Sequence, residues 1–146
     1  MKVSSIRSAA KFRQTALVID DQTTALDIHA AILKSLKLNL KIVTMTNPVE
    51  ALEWVKNKQV DLIITDFRMH QMDGMQFVEA INSTGEYPPR PIVVVTVLKD
   101  IKIHQELLSA GASACLTKPV QTEELAKISK ILLEQSKKLY SQNLLD

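Results

Sequence analysis

The hydrophobic residues of this chain fall into short continuous runs, and longer stretches with a different periodicity separate them. Five runs have the length of a strand, and they lie at residues 16–20, 41–45, 60–65, 92–97 and 114–117. Between the runs, hydrophobic residues recur every three or four positions, which is typical of helices with one buried face. The pattern therefore predicts five strands and five helices in alternation.

The helices are expected over residues 23–38, from Pro48 onward, over 74–83, over 100–110 and from Thr122 onward. Asn47 is expected to cap the second helix, because its side chain accepts hydrogen bonds from free amides and proline suits the first helical position. Gly111 is expected to end the fourth helix, and the single tryptophan, Trp54, is interpreted as a packing residue.

Strands that are apolar along their whole length are typical of a parallel sheet with helices on both faces. The fourth run is almost pure valine and is expected inside the sheet, whereas the less apolar second run is expected at an edge. Right-handed crossovers favour the strand order 2-1-3-4-5. The predicted fold class is α/β, a doubly wound five-stranded parallel sheet of the flavodoxin-like type.

The composition is that of a single domain without extreme charge. The chain has 146 residues, and 18 basic against 16 acidic residues leave a net charge of +2, which does not indicate direct nucleic-acid or membrane binding. No apolar run approaches the roughly 20 residues of a membrane-spanning helix. The single cysteine excludes an internal disulfide and a cysteine-rich zinc site, and favours a cytoplasmic location.

Both ends of the chain are expected to extend beyond the domain. The first 14 residues carry four basic side chains and no acidic one, and they lack the apolar segment of a secretory signal. We expect a basic extension over residues 1–14, one domain over 15–135, and a helical extension or tail over 136–146. The long last helix is compatible with a monomer and with a homodimer.

Polar residues stand where four of the predicted strands end, namely Asp20 and Asp21, Asp66, Thr96, and Lys118. The carboxyl ends of parallel strands meet at one edge of the sheet, where ligands bind in such folds. Three carboxylates, a hydroxyl and an amine are therefore expected in one crevice. Oxygen ligands with space for a phosphoryl group fit Mg²⁺.

Two of these assignments have alternatives when the residues are considered alone. Asp20 and Asp21 could instead start a helix, where acidic side chains interact favourably with the helix dipole. Asp66 could be a metal ligand only, or a nucleophile that accepts a phosphoryl group. Lys118 favours the nucleophile, because its ammonium group supplies positive charge for phosphoryl oxygens.

Four motifs at these positions resemble the receiver domains of two-component response regulators. They are VIDD at residues 18–21, IITDFRMHQMDG at 63–74, VVVT at 93–96 and LTKPV at 116–120. The resemblance extends over about residues 15–133. Gly74 matches the glycine that ends the active-site loop of the family.

The resemblance implies a role for each residue of the crevice. Asp66 is the phosphoacceptor, and it binds Mg²⁺ together with Asp21 and the backbone carbonyl of Arg68, while Asp20 acts through a bound water. Thr96 and Lys118 bind the phosphoryl oxygens. Pro119 is expected to follow Lys118 through a cis peptide bond.

Three positions depart from the family pattern. His70 stands where proline is usual, so the loop after Asp66 is expected to be less rigid. Val97 stands where a small residue is common, and its branched side chain could restrict access to the phosphoryl group. Cys115 occupies the position of a switching tyrosine or phenylalanine. Movement of Thr96 therefore cannot be coupled to rotation of a ring.

The resemblance implies a phosphorylation-switched signalling domain and not an enzyme with turnover beyond its own phosphorylation and dephosphorylation. A histidine kinase or phosphotransfer protein donates the phosphoryl group in a Mg²⁺-dependent phosphorelay. A downstream protein then binds the fourth helix, fifth strand and fifth helix. The alternative is a phosphorylation-independent adaptor or dimerisation module on the same scaffold, which Val97, Cys115 and the C-terminal segment favour.

An enzyme on a similar sheet is the weakest interpretation. The chain has only three glycines, Gly74, Gly85 and Gly111, so a glycine-rich nucleotide-binding loop is absent from the sequence. Topology alone leaves a flavin site open, because the fold is shared by unrelated functions.

Overall fold

The structure is a computed structural model, and it describes residues 13–85 and 89–145. Along the chain the elements are β1 (Gln14–Ile19), α1 (Thr23–Lys34), β2 (Leu40–Met45), α2 (Pro48–Val55), β3 (Leu62–Asp66), α3 (Gly74–Asn82), β4 (Ile92–Thr96), α4 (Ile101–Ser109), β5 (Ala114–Thr117) and α5 (Thr122–Leu145). The predicted alternation of strands and helices is confirmed. Residues 1–12 of the expected basic extension lie outside the described residues.

The five strands form one parallel sheet in the order β2-β1-β3-β4-β5, as predicted. The apolar strands β1, β3 and β4 lie inside the sheet, where neighbours on both sides satisfy their backbone groups. The less apolar β2 is an edge strand, and β5 forms the other edge with side chains that are only partly buried. The hydrophobic pattern therefore determined which strands are interior.

Helices cover both faces of the sheet because successive side chains of each strand point to opposite faces. On one face, Val18, Ile64 and Val95 pack with Leu33 of α1 and Leu125 of α5. On the other face, the alternate strand residues pack with α2, α3 and α4, through side chains that include Ala51, Phe77 and Leu107. Trp54 packs beside this second cluster, as expected.

Two element boundaries differ from the prediction. Helix α1 ends at Lys34 rather than at residue 38, because Ser35 closes its last turn and Lys37 adopts a left-handed backbone with φ of 55°. Strand β4 ends at Thr96, and Val97 is 58% exposed. Both elements were predicted too long, because the hydrophobic periodicity continues after the backbone has turned away from the core.

A polar contact holds helix α5 against the amino end of the sheet. Asp61 is buried just before β3, and its two carboxylate oxygens accept hydrogen bonds from the amide of Thr15 at 2.8 Å and from Ser136 Oγ at 2.9 Å. The side chain of Gln14 donates to the carbonyl of Leu133 at 2.8 Å. Helix α5 is continuous through residue 136, and the division of the chain at that residue stays a prediction.

Within the ranges that the structure describes, no helix combines the length and the hydrophobicity needed to cross a membrane.

Candidate functional site

The sheet brings the ends of four strands to one edge. Asp66 is the last residue of β3 and Thr96 the last residue of β4. Asp20 and Asp21 follow β1 directly, and Lys118 follows β5 directly. The parallel register places Asp66 beside Val95 and Thr96 beside Thr117, so all these residues lie at the carboxyl edge.

Lys118 joins the acidic residues from different strands. Its Nζ lies 3.0 Å from Oδ1 of Asp66 and 3.3 Å from Oδ2 of Asp20. The side chain of Asp20 is fully buried and that of Lys118 is 20% exposed. Burial weakens solvent screening, so these charge contacts are stronger than those at an open surface. The expected meeting of carboxylates and amine therefore exists in the structure.

The surroundings shift the pKa values of both partners upward. Burial raises the pKa of Asp66, and the charge of Asp20 adds to this effect, while the hydrogen bond from Lys118 opposes it. Burial lowers the pKa of Lys118, but the hydrogen bonds and charges of Asp66 and Asp20 outweigh burial and raise it overall. A carboxyl group held beside an ammonium group is the arrangement that an activated oxygen nucleophile needs.

Three carboxylates form a group with the dimensions of a cation site. One oxygen from each of Asp20, Asp21 and Asp66 lies within 4.8 Å of the others. Like charges at this separation repel one another, and a divalent cation would offset the repulsion. A set of hard oxygen donors fits Mg²⁺ by its chemistry. Asp21 also lines a cavity of about 220 Å³ with Arg68, Met69 and His70.

His70 makes a direct contact with this acidic group. Its Nδ1 lies 2.7 Å from Oδ2 of Asp21. The sequence places His70 in this loop but does not predict the contact, because hydrophobic periodicity does not indicate the path of a loop. The only available signal was the departure from proline at this position.

The loop between β3 and α3 is held tightly at its base. The amide of Gly74 donates to the carbonyl of Phe67 at 2.7 Å, and a Cβ on Gly74 would meet Phe67 Cα at 3.0 Å. A side chain at position 74 would therefore force the backbone at Phe67 to shift, and glycine avoids this. Asp73 and Gln76 form a reciprocal capping box at the start of α3. These contacts fix both ends of the loop that carries Arg68 and His70.

Thr96 and the following residues connect the site with helix α4. Thr96 is buried, and its Oγ1 accepts a hydrogen bond from the amide of Leu98 at 3.0 Å. The carbonyl of Leu98 lies 2.7 Å from Nε2 of His104 in α4. Cys115, at the expected ring position, is half-buried, and burial raises the pKa of its thiol.

His29 is a second histidine whose position the sequence did not reveal. It is buried in α1, and burial lowers its pKa, as does the charge of Lys118, while Asp20 has the opposite effect. Its proximity to the charged residues depends on the rotation of α1 about its axis, which a sequence pattern leaves undetermined.

The peptide bond between Lys118 and Pro119 is cis, as the resemblance implied. The chemical roles that the resemblance implies stay predictions for Asp20, Asp21, Asp66, Arg68, Thr96, Lys118 and Cys115.

Comparison with known proteins identifies relatives of this chain. Residues 16–130 match the family model of the response regulator receiver domain. The cyclic di-GMP phosphodiesterase response regulator RpfG of Xanthomonas campestris pv. campestris is 32% identical over 117 residues, which are 80% of this chain and 31% of that protein. The chain thus spans about a third of the length of this relative.

Solved structures show the same fold. A chemotaxis response regulator of Vibrio cholerae is 26% identical and has a TM-score of 0.74, with coverage of 83% of this chain and 99% of that one. The receiver domain of a Luxo repressor protein from Vibrio parahaemolyticus has a TM-score of 0.81 at 20% identity, with coverage of 92% and 98%. The chain belongs to the family of response regulator receiver domains.

Proposed function

We propose that the protein is a phosphorylation-switched signalling domain that accepts a phosphoryl group on Asp66 from a histidine kinase or phosphotransfer protein. The observation that carries the proposal is the contact of 3.0 Å between Lys118 Nζ and Asp66 Oδ1, beside two further carboxylates. Membership of the receiver-domain family supports it.

In the proposed reaction, a carboxylate oxygen of Asp66 attacks the phosphorus of a phosphohistidine. The new O–P bond forms as the N–P bond of the donor breaks, and the released imidazole nitrogen keeps the electron pair of that bond. Such transfers depend mainly on positioning and on stabilisation of charge on the phosphoryl oxygens. The protein would be cytoplasmic, and it would catalyse only its own phosphorylation and dephosphorylation.

Lys118 provides the positive charge for this step. Its ammonium group already contacts Asp66 and Asp20, so it needs only a small movement to reach oxygens on the transferred group. Partial burial strengthens that interaction relative to one at an open surface. Thr96, at the end of the neighbouring strand, supplies a hydroxyl donor, because Oγ1 is only the acceptor in its hydrogen bond with the amide of Leu98.

Mg²⁺ is the proposed cofactor, and Asp21, Asp66 and the backbone carbonyl of Arg68 would hold it, with Asp20 acting through a water. When bound, the cation neutralises charge on the carboxylates and on the phosphoryl oxygens. The fit of the oxygen donors to this ion supports the assignment.

The output of the domain is proposed to be protein binding at the surface formed by α4, β5 and α5, without direct contact to nucleic acid or membrane. Helix α4 carries exposed apolar side chains, among them Ile101 and Leu108. Apolar residues that remain exposed in a folded domain are suited to a protein partner. Phosphorylation would change the population of conformers at this surface and with it the affinity for the downstream protein.

Labelling with a small phosphodonor such as acetyl phosphate tests the proposal. The wild-type protein should incorporate one phosphoryl group in Mg²⁺ and none in excess chelator. Asp66→Asn should incorporate none. Asp27→Asn, which changes an exposed aspartate of α1, should label like the wild type. Equal labelling of Asp66→Asn and wild type would remove the proposal.

A phosphorylation-independent adaptor is the second candidate, because Cys115 replaces the ring that usually couples the site to the output surface. The two candidates differ in their response to beryllofluoride, which mimics a phosphoryl group. Hydrogen exchange of α4, β5 and α5 should change on addition of beryllofluoride if the domain is a switch. Unchanged exchange at full occupancy of the site would favour the adaptor.

A further inference from the structure

Residues 97–100 join β4 to α4, and burial contributes little to holding this loop in place. Val97 is 58% exposed, residues 99 and 100 are exposed, and Leu98 is half-buried. Segments that bury little apolar surface open at a low cost in free energy. The hydrogen bonds of the loop therefore have a large share in determining which arrangement it adopts.

Leu98 uses one backbone group toward the site and the other toward helix α4. Its amide donates to Oγ1 of Thr96 at 3.0 Å, and its carbonyl oxygen lies 2.7 Å from Nε2 of His104. A carbonyl oxygen only accepts hydrogen bonds, so the imidazole carries a proton on Nε2 and donates it. One loop residue thus links the threonine of the site to a histidine of α4.

His104 lies on a part of α4 that has its own cap. The side chain of Asp100 accepts a hydrogen bond from the amide of Lys102 at 2.9 Å, and the carbonyl of Asp100 accepts from the amide of His104 at 3.3 Å. The imidazole therefore projects from a capped first turn. A movement of Leu98 has to break the contact with His104 or to move α4 as well.

Cys115 leaves the coupling between the site and α4 to other groups. It is half-buried on β5 and packs beside the same hydrophobic cluster as Ile103 of α4, but it has no ring that could rotate when Thr96 moves. Turning Thr96 toward a phosphoryl group takes Oγ1 away from the amide of Leu98. An amide without an acceptor favours a different arrangement of the loop, and the hydrogen bond from His104 opposes that rearrangement.

We propose that His104 is a positioning residue that restrains the switch, because its hydrogen bond holds the loop in the arrangement in which Thr96 accepts from the amide of Leu98. The inference rests on the proposed function. A ligand that requires another arrangement binds with an affinity reduced to the fraction of molecules that adopt it. One hydrogen bond changes such an equilibrium about fivefold. The restraint therefore weakens the binding of a phosphoryl group at Asp66, and its removal strengthens that binding.

The test measures the affinity of the full chain for beryllofluoride in Mg²⁺ by titration calorimetry. His104→Phe and His104→Leu both remove the donor, and each should bind about fivefold more tightly than the wild type. His104→Gln keeps an N–H donor on a side chain of similar reach and should bind like the wild type. Gln105→Phe, at an exposed position of the same helix, is the matched control and should also bind like the wild type.

The outcomes separate this inference from the proposed function. Equal affinities of the wild type, His104→Phe and His104→Leu would overturn the role of His104, and so would equally tight binding by His104→Gln or by Gln105→Phe. Labelling of Asp66 would stand in each of these cases. A wild type that neither binds beryllofluoride nor becomes labelled at Asp66 would overturn the proposed function and this inference with it.

Discussion

Single residues determine the charge balance of the site, and opposing effects act on the pKa of Asp66. Burial and Asp20 favour its neutral form, whereas Lys118 favours the carboxylate. The sequence predicted that these residues would meet, because each follows a strand of the same parallel sheet. It could not predict the contact of His70 with Asp21 or the burial of His29, which depend on a loop path and on a helix rotation.

We predict that the Asp66 carboxyl group of the metal-free protein titrates above its ordinary pKa of 3.8. Asp20→Asn should lower the pKa of Asp66 because it removes a neighbouring negative charge, and Lys118→Met should raise it because it removes a hydrogen bond to the carboxylate. Carbon NMR of the Asp66 carboxyl group measures its pKa in the wild type and in each of the two variants. Shifts of the same sign in the two variants would contradict the described charge balance.

Asp66 also makes the free energy of unfolding depend on pH. Because the pKa of Asp66 is higher in the folded than in the unfolded protein, ionisation of Asp66 lowers the free energy of unfolding. That cost is absent below the unfolded pKa and develops fully as pH rises through the folded pKa. Asp66→Asn should therefore raise the free energy of unfolding at neutral pH in metal-free buffer, and raise it less as the solution is acidified. Urea unfolding measures the gain, and a pH-independent gain would argue against this origin.

At the scale of elements, the sequence indicated where strands and helices lie better than where they end. The hydrophobic runs predicted all five strands, but Leu38 lies outside α1 and Val97 lies outside β4. Both residues are apolar and exposed, so their periodicity suggested a burial that the turning backbone prevents. The contact of Asp61 with Ser136 joins residues 75 positions apart, and no local pattern reports such a pair.

That contact gives a prediction about how α5 is held. Asp61→Ala leaves the amide of Thr15 and the hydroxyl of Ser136 without their acceptor. Because the contact with Ser136 is buried, the free energy of unfolding should fall by about 2 kcal/mol. Asp27→Ala, at an exposed position of α1, should lower the free energy of unfolding by less than about 0.5 kcal/mol. Chemical unfolding of both variants provides the comparison. Equal stabilities would show that the buried contact does not stabilise α5.

The hydrogen bonds of Leu98 give a prediction about movement of α4. If Thr96 turns toward a phosphoryl group, the amide of Leu98 loses its acceptor, and the carbonyl of Leu98 can carry the change to His104. Beryllofluoride with Mg²⁺ should therefore shift the imidazole signals of His104 in wild type and much less in Thr96→Ala. Fluorine NMR reports what fraction of the protein has bound beryllofluoride. An unchanged His104 signal in the fully occupied wild type would exclude this route.

At the scale of the whole molecule, the order of the strands brings the acidic residues to one edge and leaves β5 as an edge strand of the sheet. The order was predictable because right-handed crossovers leave few arrangements of five parallel strands. The output partner was not predictable, since a surface of exposed apolar residues does not specify which protein binds it.

Borohydride trapping determines whether Asp66 becomes an aspartyl phosphate. Reduction of an aspartyl phosphate converts that residue to homoserine, which peptide mass spectrometry locates in the chain. After treatment with acetyl phosphate and Mg²⁺, homoserine should appear at position 66 and nowhere else, and the chelator control should show none. Homoserine at another aspartate, or its absence from a labelled protein, would contradict the account.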